Sequence, residues 1–150
     1  MGIDVRELTK ENLLAIRVRA EDESDRDMLI AILDRLNENI YKGLCLYREG
    51  RPVMFCMVIR ALEGAANVLM GWEEGQDNGG AEFHYFAKRT LREMAKDMNL
   101  HRIQATVVQG NDKSARWLRA LGFKQEGRLR SFDKEKNDHE LYSVIRGLDF

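Results

Sequence analysis

The chain has 150 residues, of which 44% are hydrophobic and 33% charged, and its formal net charge at pH 7 is −1. This length predicts a single domain over residues 1–150, with a core that needs no disulfide or metal. The near-neutral charge and the absence of an apolar run of roughly 20 residues exclude a basic nucleic-acid-binding domain and a membrane span. The N-terminal residues lack a signal-peptide pattern, so we expect a cytoplasmic protein.

The cysteines and histidines predict no special chemistry. Cys45 and Cys56 lie within predicted strands, away from any His or helix start that would make a thiol reactive. We therefore expect reduced, buried side chains at both positions. His101 and His139 have no ligand partners at metal-binding spacing, so no metal site is predicted.

The first forty residues predict an edge strand and two helices. Ile3–Leu8 alternates weakly, and Thr9 is positioned to cap a short helix. The acidic run at 21–25 precedes the second helix, where negative charge suits the positive helix end. The apolar stripe of the second helix consists of Met28, Leu29, Ile32, Leu33 and Leu36.

The middle of the chain predicts three strands and a long helix. Tyr41–Arg48 and Val53–Leu62 form a hairpin, and the second of these strands is apolar on both faces, which is typical of a central strand. A third strand covers Ala66–Glu73. The helix Ala81–Met98 then leads to a strand at His101–Val108, and this strand–helix–strand unit predicts a right-handed crossover between parallel strands. The buried face of the long helix comprises Phe83, Phe86, Ala87, Leu91, Met94, Ala95 and Met98.

The last third predicts a capped helix and a closing hairpin. Asn111 or Asp112 caps the helix, and Gly122 supplies the left-handed residue that ends it. Strands at Phe123–Phe132 and His139–Ile145 follow. The complete order, β-α-α-β-β-β-α-β-α-β-β, predicts an α+β domain with α/β/α layers.

One motif in this region resembles a known family. Asn111-x-x-Ser114-x-x-x-Leu118-x-x-Leu121-Gly122-Phe123 is followed by Glu126-Gly127 and by Asp138-x-x-x-Tyr142. This pattern resembles the C-terminal signature of the GCN5-related N-acetyltransferases, the GNAT superfamily. The likeness is greatest to the branch that acetylates ribosomal-protein N-termini and to small phage-encoded GNAT-like proteins. It implies a mixed, mostly antiparallel sheet of six to seven strands flanked by four helices.

The resemblance implies acetyl-CoA as co-substrate and assigns a set of binding residues. The family's phosphate-loop pattern, Gln/Arg-x-x-Gly-x-Gly/Ala, matches residues 76–81, where glycines and a helix start suit a pyrophosphate. In the family the preceding strand supplies backbone donors to the thioester, and the motif helix contacts the pantetheine arm and the adenosine phosphate. The residues implied to bind the co-substrate are Leu69, Met70, Gly71, Gln76, Gly79, Gly80, Ala81, Asn111, Lys113 and Arg116.

Each of these assignments has a plainer alternative. The loop at 76–80 is also typical of a polar turn before a helix, Asn111 of a helix cap, and Lys113 with Arg116 of a solvated basic face. Residues 73–82 contain four carboxylates, Glu73, Glu74, Asp77 and Glu82, and no Lys or Arg.

The resemblance also assigns catalytic candidates. The family often protonates the leaving thiolate with a Tyr at the position occupied here by Leu118, so that acid is absent. Ser114 could donate instead, or merely cap its helix. Glu73 or Glu74 could act as general base through water, as a carboxylate there does in several relatives, or be a solvated charge.

Two functions follow from the resemblance. The first is an N-acetyltransferase that moves an acetyl group from acetyl-CoA to a protein N-terminus or small amine by direct attack. The alternative is a catalytically degenerate binding or assembly module of the phage-virion-associated kind. We expect a monomer or homodimer that binds neither nucleic acid nor membrane, with an acceptor pocket built from the N-terminal helices and the closing hairpin.

Overall fold

A computed structural model describes residues 2–37, 39–75, 80–147 and 149–150. Within these ranges it contains seven strands and four α-helices, in the predicted order. They are β1 Ile3–Glu7, α1 Lys10–Ala15, α2 Glu23–Ile32, β2 Tyr41–Arg48, β3 Arg51–Leu62, β4 Ala65–Trp72, α3 Gly80–Asp97, β5 Arg102–Val108, α4 Asp112–Ala120, β6 Lys124–Leu129 and β7 His139–Ile145. Short 3₁₀ helices at Ala20–Asp22 and Leu33–Arg35 flank α2. Among the helices of these ranges, none combines the length and apolar character needed to cross a membrane.

The strands form one sheet in the order β1-β2-β3-β4-β5-β7-β6. Neighbouring strands are antiparallel except β4 and β5, which are parallel as the crossover predicted. This parallel pairing is short, since only Ala65–Asn67 pairs with Arg102–Gln104. A side-chain bond from Gln104 Nε2 to Asn67 Oδ1, 2.9 Å long, marks its end. Beyond it the two strands part and leave a gap at their carboxyl ends.

The central strand is covered on both faces, as its composition predicted. Val53 through Val58 of β3 have no exposed surface. Met54, Cys56 and Val58 pack with α3 and α4, whereas Phe55 and Met57 pack with α1 and α2. Since neighbouring side chains of a strand point to opposite faces, this strand serves two cores.

Three local details differ from the sequence prediction. The β2–β3 turn contains only Glu49 and Gly50, both with positive φ, so β3 begins at Arg51 rather than Val53. β6 ends at Leu129 rather than Phe132, because Ser131 has a φ of 47° and its amide donates to Asp138 Oδ1. Met28 is 45% exposed, and the predicted stripe of α2 was wrong there.

Gly71 of β4 lies where no side chain fits. A Cβ at Gly71 would stand 2.5 Å from Phe55 Cε1 and 3.1 Å from Asp22 Cβ, so the Phe55 ring of β3 and the Ala20–Asp22 helix approach this residue closely. We expect Gly71→Ala to lower the free energy of unfolding by about 1–3 kcal/mol, because overpacking displaces the ring or the helix segment. Urea denaturation measures the loss.

Gly127→Ala is the matched control. Gly127 also lies in a strand, and a Cβ there meets nothing within 4 Å. We expect this variant to stay within about 0.5 kcal/mol of wild type. Equal unfolding midpoints for the two variants would contradict the close approach at Gly71.

Candidate functional site

A cavity of about 410 Å³ lies where β4 and β5 part. One side is formed by residues 68–70 and Trp72 of β4, residues 105–108 of β5 and the first turns of α4. The other side is formed by residues of the 19–25 segment and of the 132–139 segment, which includes the β6–β7 turn. The N-terminal helices and the closing hairpin therefore line this cavity together, although they are far apart in the sequence.

Charge is confined to one side of the cavity. Among the described lining residues, those from β4, β5 and α4 are uncharged. The charged lining groups come from the other two segments: carboxylates at Glu21, Asp22, Asp25, Asp133 and Glu135, and cations at Arg19 and Lys134, with His139 beside them. The site thus has a neutral side and a side on which acids outnumber cations.

Arg19 and Asp22 fasten the first 3₁₀ helix to the end of β4. Arg19 donates from Nε and Nη2 to the two oxygens of Asp22, at 2.7 and 2.9 Å, and its guanidinium lies 3.3 Å from the Trp72 ring centre. Asp22 Oδ2 also accepts the Trp72 backbone N–H at 3.4 Å. Burial raises the pKa of Asp22, whereas Arg19 and the Trp72 amide oppose that shift.

The hydrogen-bonding alternation of β4 decides which amides face the gap. Glu73 N–H donates to Val53 of β3, and Trp72 N–H donates to Asp22 on the opposite edge. Since successive residues of a strand direct their backbone groups to opposite edges, Met70 shares the gap edge with Trp72. The backbone groups of Leu69 and Gly71 point toward β3. Of the three strand residues implied by the resemblance, Leu69 and Met70 line the cavity, and Met70 also presents its amide to the gap.

Asn111 and Ser114 form a reciprocal pair at the start of α4. Asn111 Oδ1 accepts the Ser114 backbone N–H at 3.3 Å, and Asn111 Nδ2 donates to Ser114 Oγ at 3.0 Å. Both residues line the cavity. Because Ser114 Oγ is the acceptor of this bond, its own proton can be donated to a group in the cavity. Asn111 is therefore a helix cap, as predicted, and also a cavity residue.

Trp117 is a cavity residue that the sequence analysis did not identify. It is 6% exposed and packs edge-on against Trp72, with ring centres 4.8 Å apart. Its Nε1 has no hydrogen-bond partner within the described part of the chain. Trp117 lies four residues before Leu121 of the motif, which is the spacing of side chains on one helix face, so a signal was present in the sequence.

His139 and Asp133 also went unrecognised. His139 Nε2 lies 3.1 Å from Asp133 Oδ2, and the imidazole packs on Phe132 with centres 4.9 Å apart. The Asn137 backbone N–H and His139 lower the pKa of Asp133 to about 2. Nδ1 of His139 is buried, and no described residue bonds to it. Within the described part of the chain, the imidazole thus forms a hydrogen bond through one nitrogen only.

Asp25 lies in the first turn of α2 and lines the cavity. Burial, and then the charge of Asp22, raise its pKa to about 6, against an opposing effect of His139. No hydrogen bond or ion pair joins its carboxylate to any residue that the structure describes. In the sequence, Asp25 is recognisable only as part of the acidic run at 21–25 before a helix.

The predicted bases lie elsewhere. Glu73 forms an ion pair with Arg51, 3.0 Å between Oε2 and Nη2, and Glu74 is exposed. Neither belongs to the described lining of the cavity. Glu82, at the start of α3, pairs with Arg48 at 2.6 Å. Arginines on both sides of the β2–β3 turn therefore neutralise two of the four carboxylates noted in the sequence.

The remaining candidates are only partly placed. Gln76 and Gly79 lie outside the described residues. Gly80 begins α3 with a φ of 64°, and Ala81 follows it on the helix surface. The exposed side chains of α4 include Lys113 and Arg116, which lie outside the described lining. The roles implied for these residues stay predictions.

Comparison with known proteins supports the fold. No protein-family model matches the chain. The uncharacterized N-acetyltransferase p20 of Bacillus licheniformis is 26% identical over 115 residues, and the match spans 65% of each chain. Ribosomal-protein-S5-alanine acetyltransferase from Vibrio fischeri superposes with a TM-score of 0.75 and 20% identity, over 100% of this chain and 96% of that one. A mutant of spermidine N-acetyltransferase from Vibrio cholerae superposes with a TM-score of 0.73 and 16% identity, over 97% of this chain and 94% of that one. The resemblance to GCN5-related N-acetyltransferases is thus confirmed in the fold.

The raised pKa of Asp25 has a consequence for stability. Its ordinary pKa is 3.8 and its value in the folded protein is about 6, so the folded state prefers the neutral acid. This contribution is complete below the ordinary pKa and is lost as the pH rises through 6. We expect the free energy of unfolding of Asp25→Asn, relative to that of wild type, to be about 2 kcal/mol higher at pH 8 than at pH 4.5. Urea denaturation of both proteins at the two pH values measures the gain.

Glu23→Gln is the control for this comparison. Glu23 is an exposed carboxylate in the same first turn of α2, and the cavity lining does not include it. Its stability relative to wild type should hardly change over the same pH interval. If the free energies of unfolding of Asp25→Asn and wild type differ by the same amount at both pH values, Asp25 has an ordinary pKa and the prediction is wrong.

Proposed function

We propose that this chain is an N-acetyltransferase that moves an acetyl group from acetyl-CoA to a primary amine. The observation that carries the proposal is the gap between β4 and β5, with a neutral wall on one side and an acidic wall on the other. A thioester and its pantetheine arm are uncharged, whereas an amine acceptor arrives as a cation. The two sides of the cavity match these two partners, and the shared fold supports the same assignment.

The residues around the gap fit acetyl-CoA. The gap edge of β4 carries the Met70 amide beside apolar lining, which suits an amide-containing arm. α3 begins at Gly80, and a helix start favours a diphosphate through its free N–H groups and its positive end. The nearby Glu73 and Glu82 are paired with arginines, which removes part of the repulsion. Gln76, Gly79 and Ala81 would complete the proposed phosphate site, and Lys113 or Arg116 would pair with the adenosine phosphate.

The proposed reaction needs few groups. The neutral amine attacks the thioester carbon, the C–N bond forms and the C–S bond breaks. Met70 N–H, fixed at the gap edge, would stabilise the charge that develops on the carbonyl oxygen. The Ser114 hydroxyl, held by Asn111, would give its proton to the departing sulfur, a role that Leu118 cannot fill. Glu73 and Glu74 would have to act through water, because they lie outside the cavity lining.

The alternative, a binding module of the same fold without catalysis, has one observation in its favour. The Asp22 carboxylate bonds to the Trp72 N–H, which is one of the amides on the gap edge. A partner protein that binds tightly, together with no affinity for acetyl-CoA, would identify the chain as such a module.

Calorimetric titration with acetyl-CoA tests the co-substrate site. We expect Gly80→Ala to weaken the affinity at least about tenfold, because a methyl group there stands between the helix amides and the phosphates. Gly147→Ala is the matched control, since both glycines have positive φ, 64° and 88°, and open space around a Cβ. The two variants share the backbone strain, so equal affinities would place the phosphates away from Gly80.

Release of free thiol during acetyl transfer tests the reaction. The amines to try are spermidine and peptides that begin with alanine, because the structurally similar enzymes act on a polyamine and on a ribosomal protein. We expect Ser114→Ala to lower kcat by about ten- to a hundredfold at unchanged acetyl-CoA affinity, and Ser114→Thr, which keeps the hydroxyl, to lose less. An equal loss in both variants would assign Ser114 to helix capping alone.

A further inference from the structure

One carboxylate on the acidic side of the cavity differs from the others. We propose that Asp25 is the catalytic base that removes a proton from the ammonium group of the acceptor. This inference rests on the proposed acetyltransferase function and concerns a step for which the resemblance offers Glu73 or Glu74.

The other acids of the cavity lining are paired with cations or with His139. Arg19 pairs with both Glu21 and Asp22, at 3.6 and 2.7 Å. Asp133 bonds to His139 at 3.1 Å, and Glu135 lies 3.9 Å from Lys134. Of the five carboxylates in the described lining, Asp25 alone has no such partner within the described chain. A half-buried carboxylate without a partner is costly, and an incoming ammonium group would supply one.

Charged groups face Asp25 from two segments of the cavity lining. On its own side, Glu21, Asp22 and Arg19 lie in or just before the adjoining 3₁₀ helix, and across the cavity lie Asp133, Lys134, Glu135 and His139. The sides formed by β4, β5 and α4 add no charged lining residue from the described ranges. In this setting burial and Asp22 raise the pKa of Asp25 to about 6. The carboxylate is therefore ionised at neutral pH and still basic enough to accept a proton, which is the condition for an efficient general base.

A third observation is independent of the acids. Trp117 is only 6% exposed and lines the same cavity, yet its Nε1 has no hydrogen-bond partner among the described residues. Buried indole N–H groups in folded proteins are nearly always hydrogen-bonded. This unsatisfied donor supports a polar ligand in the cavity.

The proton balance of the step is simple. Asp25 takes one proton from R–NH3⁺ and becomes the neutral acid, which leaves R–NH2 to attack the thioester carbon. As the C–S bond breaks, the Ser114 hydroxyl gives its proton to the departing sulfur, which becomes the CoA thiol. The second proton leaves the nitrogen as the amide forms and restores the Ser114 hydroxyl. Asp25 then returns its proton to solvent and is ready for the next acceptor.

The test is the pH profile of kcat/KM with whichever amine of the panel wild type acetylates fastest. We expect wild-type kcat/KM to rise tenfold per pH unit below about pH 6 and to level off above it, because Asp25 must be ionised. Asp25→Asn should lose this rise below pH 6, and its kcat/KM at pH 7.5 should be about 10²–10³-fold lower than that of wild type. Asp25→Glu should recover most of the rate, and acetyl-CoA affinity should be unchanged in both variants.

Glu23→Gln is the control on the same helix turn, and it should keep the wild-type kcat/KM and its rise below pH 6. A fully active Asp25→Asn variant whose kcat/KM has the wild-type pH dependence would overturn the role of Asp25, but it would not contradict the acetyltransferase function. Wild-type protein that acetylates none of the amines and binds no acetyl-CoA would overturn the proposed function, and the base with it.

Discussion

The early end of the pairing between β4 and β5 is the constraint on which the site depends. Only three residue pairs join these strands, and the side chains of Gln104 and Asn67 bond where the pairing stops. Beyond that point Trp72 packs edge-on against Trp117 of α4 and against Phe83 of α3, so aromatic packing fixes the end of β4 against the helices rather than against β5. A parallel pair that continued to the strand ends would close the cavity and would use the edge that carries the Met70 amide.

The opposite side of the cavity is held by a different kind of interaction. Arg19 stacks on Trp72 and binds Asp22, and Asp22 in turn binds the Trp72 amide, so this ion pair adds to the backbone bonds between residues 17–19 and the end of β4. Breaking such a buried pair is costly, although its net contribution to stability is small because both charges are desolvated. Burial raises the pKa of Asp22 and of Asp25, which means that the fold disfavours their ionised forms. Groups that cost stability in this way cluster at functional sites.

The sequence predicted the strands and helices well, but it did not predict the gap between β4 and β5 or the acidic side of the cavity. Helical spacing identified the buried face of α3, and the two-sided apolar run identified β3 as a covered strand, because both signals are local. The gap could not be predicted from periodicity, since it depends on where the pairing of two distant strands stops. Asn111, Ser114, Leu69 and Met70, which the resemblance assigns to co-substrate binding or catalysis, line the cavity, and those roles stay predictions. The acidic side was missed because a run of acids before a helix is equally well explained by the helix dipole.

Local composition also gave a misleading view of charge at the start of α3. Residues 73–82 contain four carboxylates and no cation, which alone argues against a diphosphate beside that helix. In the folded chain Arg51 pairs with Glu73 and Arg48 with Glu82, from a hairpin more than 20 residues upstream. Such exposed pairs add little to stability, yet they cancel charge where it would repel a phosphate. The field at a helix start is therefore a property of the tertiary structure, and the acidic composition of this segment is not by itself an argument against a phosphate site at Gly80.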